Sequence, residues 1–184
     1  ADNTVKFYTF IFGTLWGIGN LTFGLSMRYL GISLGMAVAL GFCAGFGTLI
    51  PPIYEGTFLL LIQTKGGLFT LFGILLCLLG IGISGRAGIY KEKELDTEQQ
   101  KATVLEFNLT KGLIVATVSG ILSACFAFGL QAGKPMADIA HSYGTPLIFQ
   151  NNSVLIWILW GGFVSNFVWV AFLNIRNNTY HDYT

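Results

Sequence analysis

The stretch that decides the fold is GTLWGIGNLTFGLSMRYLG, residues 13–31. It is rich in glycine and apolar side chains, yet it also carries Trp16, Asn20 and Arg28. The whole chain is 53% hydrophobic and 10% charged, whereas about 25% of the residues of an average soluble domain are charged. So few charged side chains could not cover the surface of a water-soluble domain of 184 residues. The composition therefore predicts an integral membrane protein.

Five apolar stretches are long enough to cross a bilayer. Each is close to the ~20 residues that an α-helix needs to span a hydrocarbon core of ~30 Å, and none contains Asp, Glu, Lys or Arg. They lie at about residues 7–27, 32–54, 67–84, 112–130 and 153–173. The alternation at period two that marks a membrane β-barrel is absent from the sequence. We therefore expect an all-α fold, with residues 1–184 forming one transmembrane domain of about five helices.

The connectors between these stretches differ in length and polarity. Residues 28–31 form a very short turn, so the first two helices should be antiparallel neighbours. Residues 55–66 are still partly apolar and suit the membrane interface. Residues 86–111 should be a polar amphipathic or disordered connector, and residues 131–152 a longer loop. The Pro51–Pro52 pair should end or kink the second helix, because proline removes an amide donor and clashes with the preceding turn.

The basic residues predict an orientation, since cytoplasmic loops carry more Lys and Arg. Seven basic residues fall on one side, namely Arg28, Arg86, Lys91, Lys93, Lys101, Lys111 and Arg176, and three on the other, namely Lys6, Lys65 and Lys134. Residues 86–111 should therefore be cytoplasmic, and the N-terminal flank and residues 131–152 should lie outside. Arg28 and Lys134, at opposite membrane faces, are expected to act as anchors or gates.

The sequence argues against enzymes, metal proteins and nucleic-acid binders. The net charge is +1 and the basic residues are clustered, so no broad basic face is available for nucleic acid. His141 and His181 are isolated, with no HExxH-like arrangement. The cysteines lie inside predicted spans without metal-binding spacing and should be small packing residues; they are Cys43, Cys77 and Cys125. We expect no catalysis, no metal and no cofactor.

Glycines recur at four-residue spacing, which lets helix backbones approach closely inside a membrane. The pairs are Gly13 and Gly17, Gly31 and Gly35, and Gly41 and Gly45. Two interpretations fit, tight packing alone or helices that also slide past one another. In either case, leucine at Gly17 or Gly45 should harm the protein more than alanine.

Polar and aromatic residues share one face of the first helix, at ~100° per residue. That face carries Trp16, Asn20, Phe23 and Met27. An aromatic ring beside an amide suits a sugar, because the ring covers an apolar sugar face while the amide bonds hydroxyl groups. The alternative is that Asn20 bonds a neighbouring helix and Trp16 simply packs.

Two serines and three tryptophans in the later spans are open to two interpretations. Ser119 and Ser123, one turn apart, are further candidate substrate contacts, or they bond their own helix backbone. Trp157, Trp160 and Trp169 form an aromatic belt or contribute to a site.

Five motifs resemble the bacterial L-rhamnose–proton symporter family, in the drug/metabolite transporter superfamily. They are FGTLWGIGNLTFGLSMRYLGISLG (residues 12–35), GTLIPPIYEG (47–56), GRAG (85–88), EFNLTKGL (106–113) and GKPM (133–136). The resemblance implies ten helices arranged as two inverted five-helix repeats. This chain would then be an internal piece of a longer transporter, corresponding to its helices three to seven.

The resemblance also implies proton-coupled uptake of L-rhamnose or a related deoxyhexose, by alternating access at a cavity near the bilayer midplane. The location would be the bacterial inner membrane, and the partners a sugar, the coupling proton and lipid. The predicted spans hold no carboxylate. The proton carrier is therefore outside this sequence, or Glu55 at the membrane edge, or not a carboxylate. A transporter or exporter of another small solute and a non-transporting membrane scaffold are the alternative functions.

Overall fold

The computed structural model of the protein describes residues 2–94 and 108–179, which contain helices and turns but no β-strand. The elements within those residues are α1 (Asn3–Leu30), α2 (Ile32–Tyr54), α3 (Phe58–Gln63), α4 (Lys65–Glu94), α5 (Leu109–Ala132), α6 (Lys134–Ser142), a 3-10 turn (Leu147–Phe149) and α7 (Asn152–Asn177). The predicted all-α fold is confirmed.

Five helical stretches in the described residues are long and apolar enough to cross a membrane. They are Asn3–Leu30, Ile32–Tyr54, Lys65–Ala87, Leu109–Ser142 and Leu147–Asn177. Each contains one of the five predicted spans, and the second has the predicted bounds. The protein is therefore a multi-pass membrane protein, with five candidate spans in the part of the chain that the structure describes.

Helix α4 extends well beyond its apolar stretch. It continues to Glu94, into the segment 86–111 that the sequence predicts to be a connector. A helix satisfies its own backbone hydrogen bonds, so it can leave the hydrocarbon and continue into water. Residues 95–107 of that segment lie outside the described residues.

The prediction of a long loop over residues 131–152 is wrong. The structure places α6 and the 3-10 turn there. Gly133 occupies the position before α6 and Pro135 lies in its first turn, where a missing amide hydrogen costs nothing. Met136 and Ala137 are buried in a core with Val154 and Ile158 of α7. This burial stabilises a helix whose composition alone looks like a loop.

The Pro51–Pro52 pair lies in the last turn of α2, which ends two residues later at Tyr54. The following connector contains the short helix α3, which begins at Phe58. Helices α2, α3 and α4 contact one another. Pro51 and Pro52 have no amide hydrogen for the carbonyls of Gly47 and Thr48 in the preceding turn, so the helix ends soon after the pair, as predicted.

The chain divides by packing into two compact units, residues 1–18 with 125–184, and residues 19–124. In the first unit, α6 and α7 share a core formed by Met136, Ala137, Val154 and Ile158. The core of the second unit is formed by Leu30, Leu34, Val38, Ala39 and Ala116. A single membrane domain can contain two such compact units. That residues 1–184 form one transmembrane domain therefore stays a prediction.

In the first unit, glycines set the direction of the helices. A Cβ at Gly13 would meet the backbone of Ile158, and one at Gly17 would come within 2.8 Å of the Gly162 Cα. A step of four residues along α1 therefore matches a step of four along α7, so the two helices run parallel. This is the relation expected of the first and fifth of five consecutive crossings.

In the second unit, glycine contacts show that neighbouring helices run antiparallel. Gly31 adopts a left-handed backbone conformation, with φ 78°, in the turn between α1 and α2, which glycine adopts without strain. The chain reverses there and brings Gly35 against Met27. Gly41 lies against Ile81 of α4, and Gly45 against Ile74. Helices α2 and α4 are therefore antiparallel, as two successive crossings must be.

Candidate transport site

Asn20 presents an exposed amide near the middle of a membrane-crossing helix. It lies about 5 Å along the axis from the midpoint of α1, at 1.5 Å per residue. Its side chain is exposed and makes no hydrogen bond with the other described residues. Phe23, nearly one turn further on, is half-buried against the core of the second unit. An amide at membrane depth is costly unless it meets water, a solute or another polar group, so Asn20 is suited to contact a solute.

Ser119 fixes α5 against α1 directly beside Asn20. Its hydroxyl is buried and donates a hydrogen bond of 2.9 Å to the Gly19 carbonyl. The close approach depends on glycine, because a Cβ at Gly19 would lie 3.2 Å from the backbone nitrogen of Ser123. The Ser119 hydroxyl proton is therefore engaged in a hydrogen bond between α5 and α1, and a substrate contact of Ser119 stays a prediction. Ser123 is half-buried and lies on the same side of α5.

Trp16, in the first unit, is half-buried between two neighbours. Its ring is tilted against Phe126, with centroids 5.2 Å apart. A Cβ on Gly162 would lie 2.9 Å from the ring atom Cζ3, so the indole rests directly on the glycine backbone of α7. This support fixes the orientation of the ring and leaves part of its surface exposed.

Asn166 of α7 is a polar contact that the sequence analysis missed. Its Nδ2 group donates to the Gly162 carbonyl at 2.8 Å and to the Gly17 carbonyl at 3.3 Å. Ser165 beside it donates to the Gly162 carbonyl at 2.9 Å. Asn166 therefore joins α7 to α1 one residue after Trp16. The signal that could have found it is the one that singled out Asn20, an amide inside an apolar span.

The sequence pattern of the L-rhamnose-proton symport protein (RhaT) family matches residues 3–182 of this chain. The chain belongs to this family. The match covers every helix described above. By its description the family consists of sugar–proton symport proteins, so its activity is transport and not enzymatic catalysis.

Several curated relatives are similar to the chain, and each is named L-rhamnose-proton symporter. The Klebsiella pneumoniae relative is 40% identical over 170 residues, covering 91% of this chain and 48% of the relative. The Citrobacter koseri relative is 42% identical with the same coverage. The Escherichia coli K12 relative is 43% identical over 157 residues, 85% of this chain and 44% of the relative. The chain thus spans about half the length of these relatives. No solved structure matches it.

The predicted anchoring or gating residues of this family member lie at helix ends. Arg28 is exposed in the last turn of α1. Lys134 is exposed at the first residue of α6. Glu55 is exposed directly after α2, and its amide donates to the Pro51 carbonyl at 3.0 Å. These positions suit side chains that reach the membrane–water boundary.

The cysteines and tryptophans are placed unequally. Cys43 and Cys125 are half-buried free thiols, as packing residues would be, whereas Cys77 is exposed on α4. Trp157 is half-buried against the core of the first unit, while Trp160 and Trp169 are 56% and 45% exposed. His141 lies in the last turn of α6, and its Nδ1 lies 2.9 Å from the Thr145 carbonyl. His181 lies outside the described residues.

Proposed function

We propose that this protein takes up L-rhamnose or a related deoxyhexose together with protons, by alternating access across the bacterial inner membrane. The observation that carries the proposal is the family match over residues 3–182. The names of relatives that are 40–43% identical to the chain support it. Five candidate spans in the described residues give the chain the construction that a membrane transporter needs.

The complete transporter, in our proposal, has ten helices in two inverted five-helix repeats, as in the drug/metabolite transporter superfamily. This chain contributes five candidate spans and covers 48% of the length of its Klebsiella relative. Transporters with inverted repeats bind their substrate near the midplane and expose it to each side in turn. The position of Trp16 and Asn20 close to the midpoint of α1 supports their assignment to such a site.

Substrate recognition is assigned to residues with exposed polar or aromatic surface at that depth. The amide of Asn20 both donates and accepts hydrogen bonds, so it can bond two hydroxyls of a deoxyhexose. Trp16 supplies an apolar ring face for the sugar, and Phe23 adds apolar surface. Ser123 is a further hydroxyl contact, while Ser119 holds α5 against α1. No cofactor is required, because the proton gradient supplies the driving force.

The proton carrier is either Glu55, a group outside this chain, or a group other than a carboxylate. Glu55 directly follows the last residue of α2 and is exposed. If Glu55 carries the proton, Glu55→Gln retains sugar exchange across the membrane but loses accumulation against a gradient. If accumulation persists in this variant, Glu55 is excluded.

The test of the proposed function is uptake by membrane vesicles that contain the full-length transporter. An inward proton gradient is imposed, and a panel of labelled deoxyhexoses and hexoses is supplied. L-rhamnose or a close relative should accumulate, and a protonophore should abolish the accumulation. Uptake of another solute with no deoxyhexose uptake would support the alternative transporter. Lack of transport by folded protein would support a membrane scaffold.

A further inference from the structure

An open cavity of about 340 Å³ lies between α1 and α7 in the first unit. Its lining is wholly apolar and consists of Phe10, Ile156, Trp157 and Trp160. This size falls within the range of about 300–1,000 Å³ that is usual for ligand cavities. A sugar would find no hydrogen-bonding partner in such a lining, so the cavity is unsuited to the transported solute. Its chemistry fits a hydrocarbon chain.

A lysine lies against Trp157, one of the residues that line this cavity. The Lys6 ammonium lies 5.8 Å from the ring centroid of Trp157, one helical turn before Phe10. Lys6 makes no ion pair with a described residue. Among the described residues near this end of the first unit, Asp2, Lys134 and Asp138 also carry charge, and all three are exposed. Lys6 is half-buried, and its ammonium, next to a tryptophan that lines an apolar cavity, is available to an anion.

The cavity continues into an exposed apolar ridge along α7. Ile156, Trp160, Phe163 and Phe167 share one face and are each 55–60% exposed. The rings of Trp160 and Phe163 are 5.6 Å apart, as are those of Phe163 and Phe167. From residue 156 to residue 167 the ridge measures about 17 Å, close to half of the ~30 Å hydrocarbon core. An acyl chain of one leaflet could therefore lie along its whole length.

We propose that this cavity and ridge bind an anionic phospholipid, with the phosphate at Lys6 and an acyl chain along α7. The Lys6 ammonium selects an anionic headgroup, and the aromatic side chains of α7 hold the acyl chain. Lysine and tryptophan are both typical of the membrane interface, and here the fold brings them to one cavity. Both helices begin at this end, so the lipid belongs to the leaflet in which α1 and α7 start. The site is separate from the residues assigned to the sugar.

The test is native mass spectrometry of the purified full chain, titrated with phosphatidylglycerol or phosphatidylcholine. One phosphatidylglycerol should remain bound more tightly than phosphatidylcholine. Lys6→Gln should weaken its retention about fivefold, the usual effect of one basic residue at an anionic surface, and Lys6→Arg should preserve it. Lys65→Gln removes the exposed lysine that begins α4 in the second unit and serves as the control. Trp160→Ala should weaken retention, whereas Trp169→Ala, on the same helix, should not.

Several results would overturn the lipid site. Equal retention of the two lipids, or an equal loss with Lys65→Gln, would remove the role of Lys6. Displacement by millimolar inorganic phosphate would indicate a site for free phosphate. A lipid-free dimer would show that a second copy covers the ridge. The unfolding temperature of the unmodified chain can also be measured in the presence of each lipid. Equal stabilisation by phosphatidylglycerol and phosphatidylcholine would contradict the proposal.

Discussion

Gly17→Ala tests the close contact between α1 and α7 with a single added methyl group. Gly17 faces Gly162 and Ser165, and the new Cβ would collide with the Ser165 hydroxyl. It would also lie 2.8 Å from the Gly162 Cα and 2.9 Å from its carbonyl oxygen. Because these two atoms belong to the backbone, a change of side-chain rotamer cannot relieve the clash. The helices must separate.

The size of the effect follows from these distances. Carbon atoms pack best from about 3.5 Å, so the helices must move apart by roughly 0.7 Å. The 3.3 Å hydrogen bond from Asn166 to Gly17 would then be lost. Overpacking costs about 1–3 kcal/mol, and an interhelical hydrogen bond in a membrane contributes about 0.6 kcal/mol. Gly17→Ala should therefore cost about 1.6–3.6 kcal/mol before the better helix propensity of alanine is counted.

Gly45→Ala is the matched control, because its new Cβ would lie 3.7 Å from the Ile74 Cγ2, an ordinary contact. Both substitutions gain the same helix propensity, of up to about 1 kcal/mol, so this gain cancels in the comparison. The assay is reversible unfolding of the purified protein in mixed micelles. Gly17→Ala should unfold with about 1.6–3.6 kcal/mol less stability than Gly45→Ala. A difference below about 0.5 kcal/mol, smaller than the lost hydrogen bond alone, would refute the contact.

Three further predictions concern topology, recognition and positioning. In full-length protein that lacks its native cysteines, Tyr143→Cys should react with an impermeant thiol reagent in intact cells, because residue 143 is predicted to lie outside. Lys101→Cys, predicted to be cytoplasmic, should not react. The opposite labelling pattern would show that the predicted orientation is reversed. Asn20→Ala should weaken apparent sugar affinity roughly tenfold, since an unpaired buried polar group costs about 1–3 kcal/mol, with membrane abundance unchanged. Unchanged sugar binding would exclude Asn20 from the site. Ser119→Ala should destabilise the protein by about 0.5–1.5 kcal/mol. Thr117→Ala, which loses only a hydrogen bond within its own helix, should destabilise it less. Equal losses of stability in the two variants would contradict the interhelical role of Ser119.

The membrane spans could be predicted because the bilayer imposes a length and a polarity on each crossing helix. The second span, residues 32–54, was predicted with the bounds that α2 has. Helix ends in water do not follow this rule, so the extension of α4 to Glu94 was missed. Helix α6 was missed because its stability comes from burying Met136 and Ala137 against residues of α7 that are distant in sequence.

For the candidate site, the sequence indicated which side chains are unusual at membrane depth but not where their partners lie. Asn20 was found because an amide in an apolar span is conspicuous. The bond from Ser119 to Gly19 joins residues 100 positions apart, and no periodicity within one helix reports such a contact. Asn166 carries the same signal as Asn20, an amide in an apolar span, but the sequence does not indicate that it bonds the Gly17 carbonyl of α1.

Proton movement driven by the sugar tests the central claim of symport most directly. Cells that produce the full-length transporter are suspended without oxygen in a lightly buffered medium, and L-rhamnose is added while external pH is recorded. Protons should enter with the sugar, so the medium should become more alkaline at once, and a protonophore should abolish the change. Entry of labelled L-rhamnose without this alkalinisation would show that transport is not coupled to protons and would contradict the account.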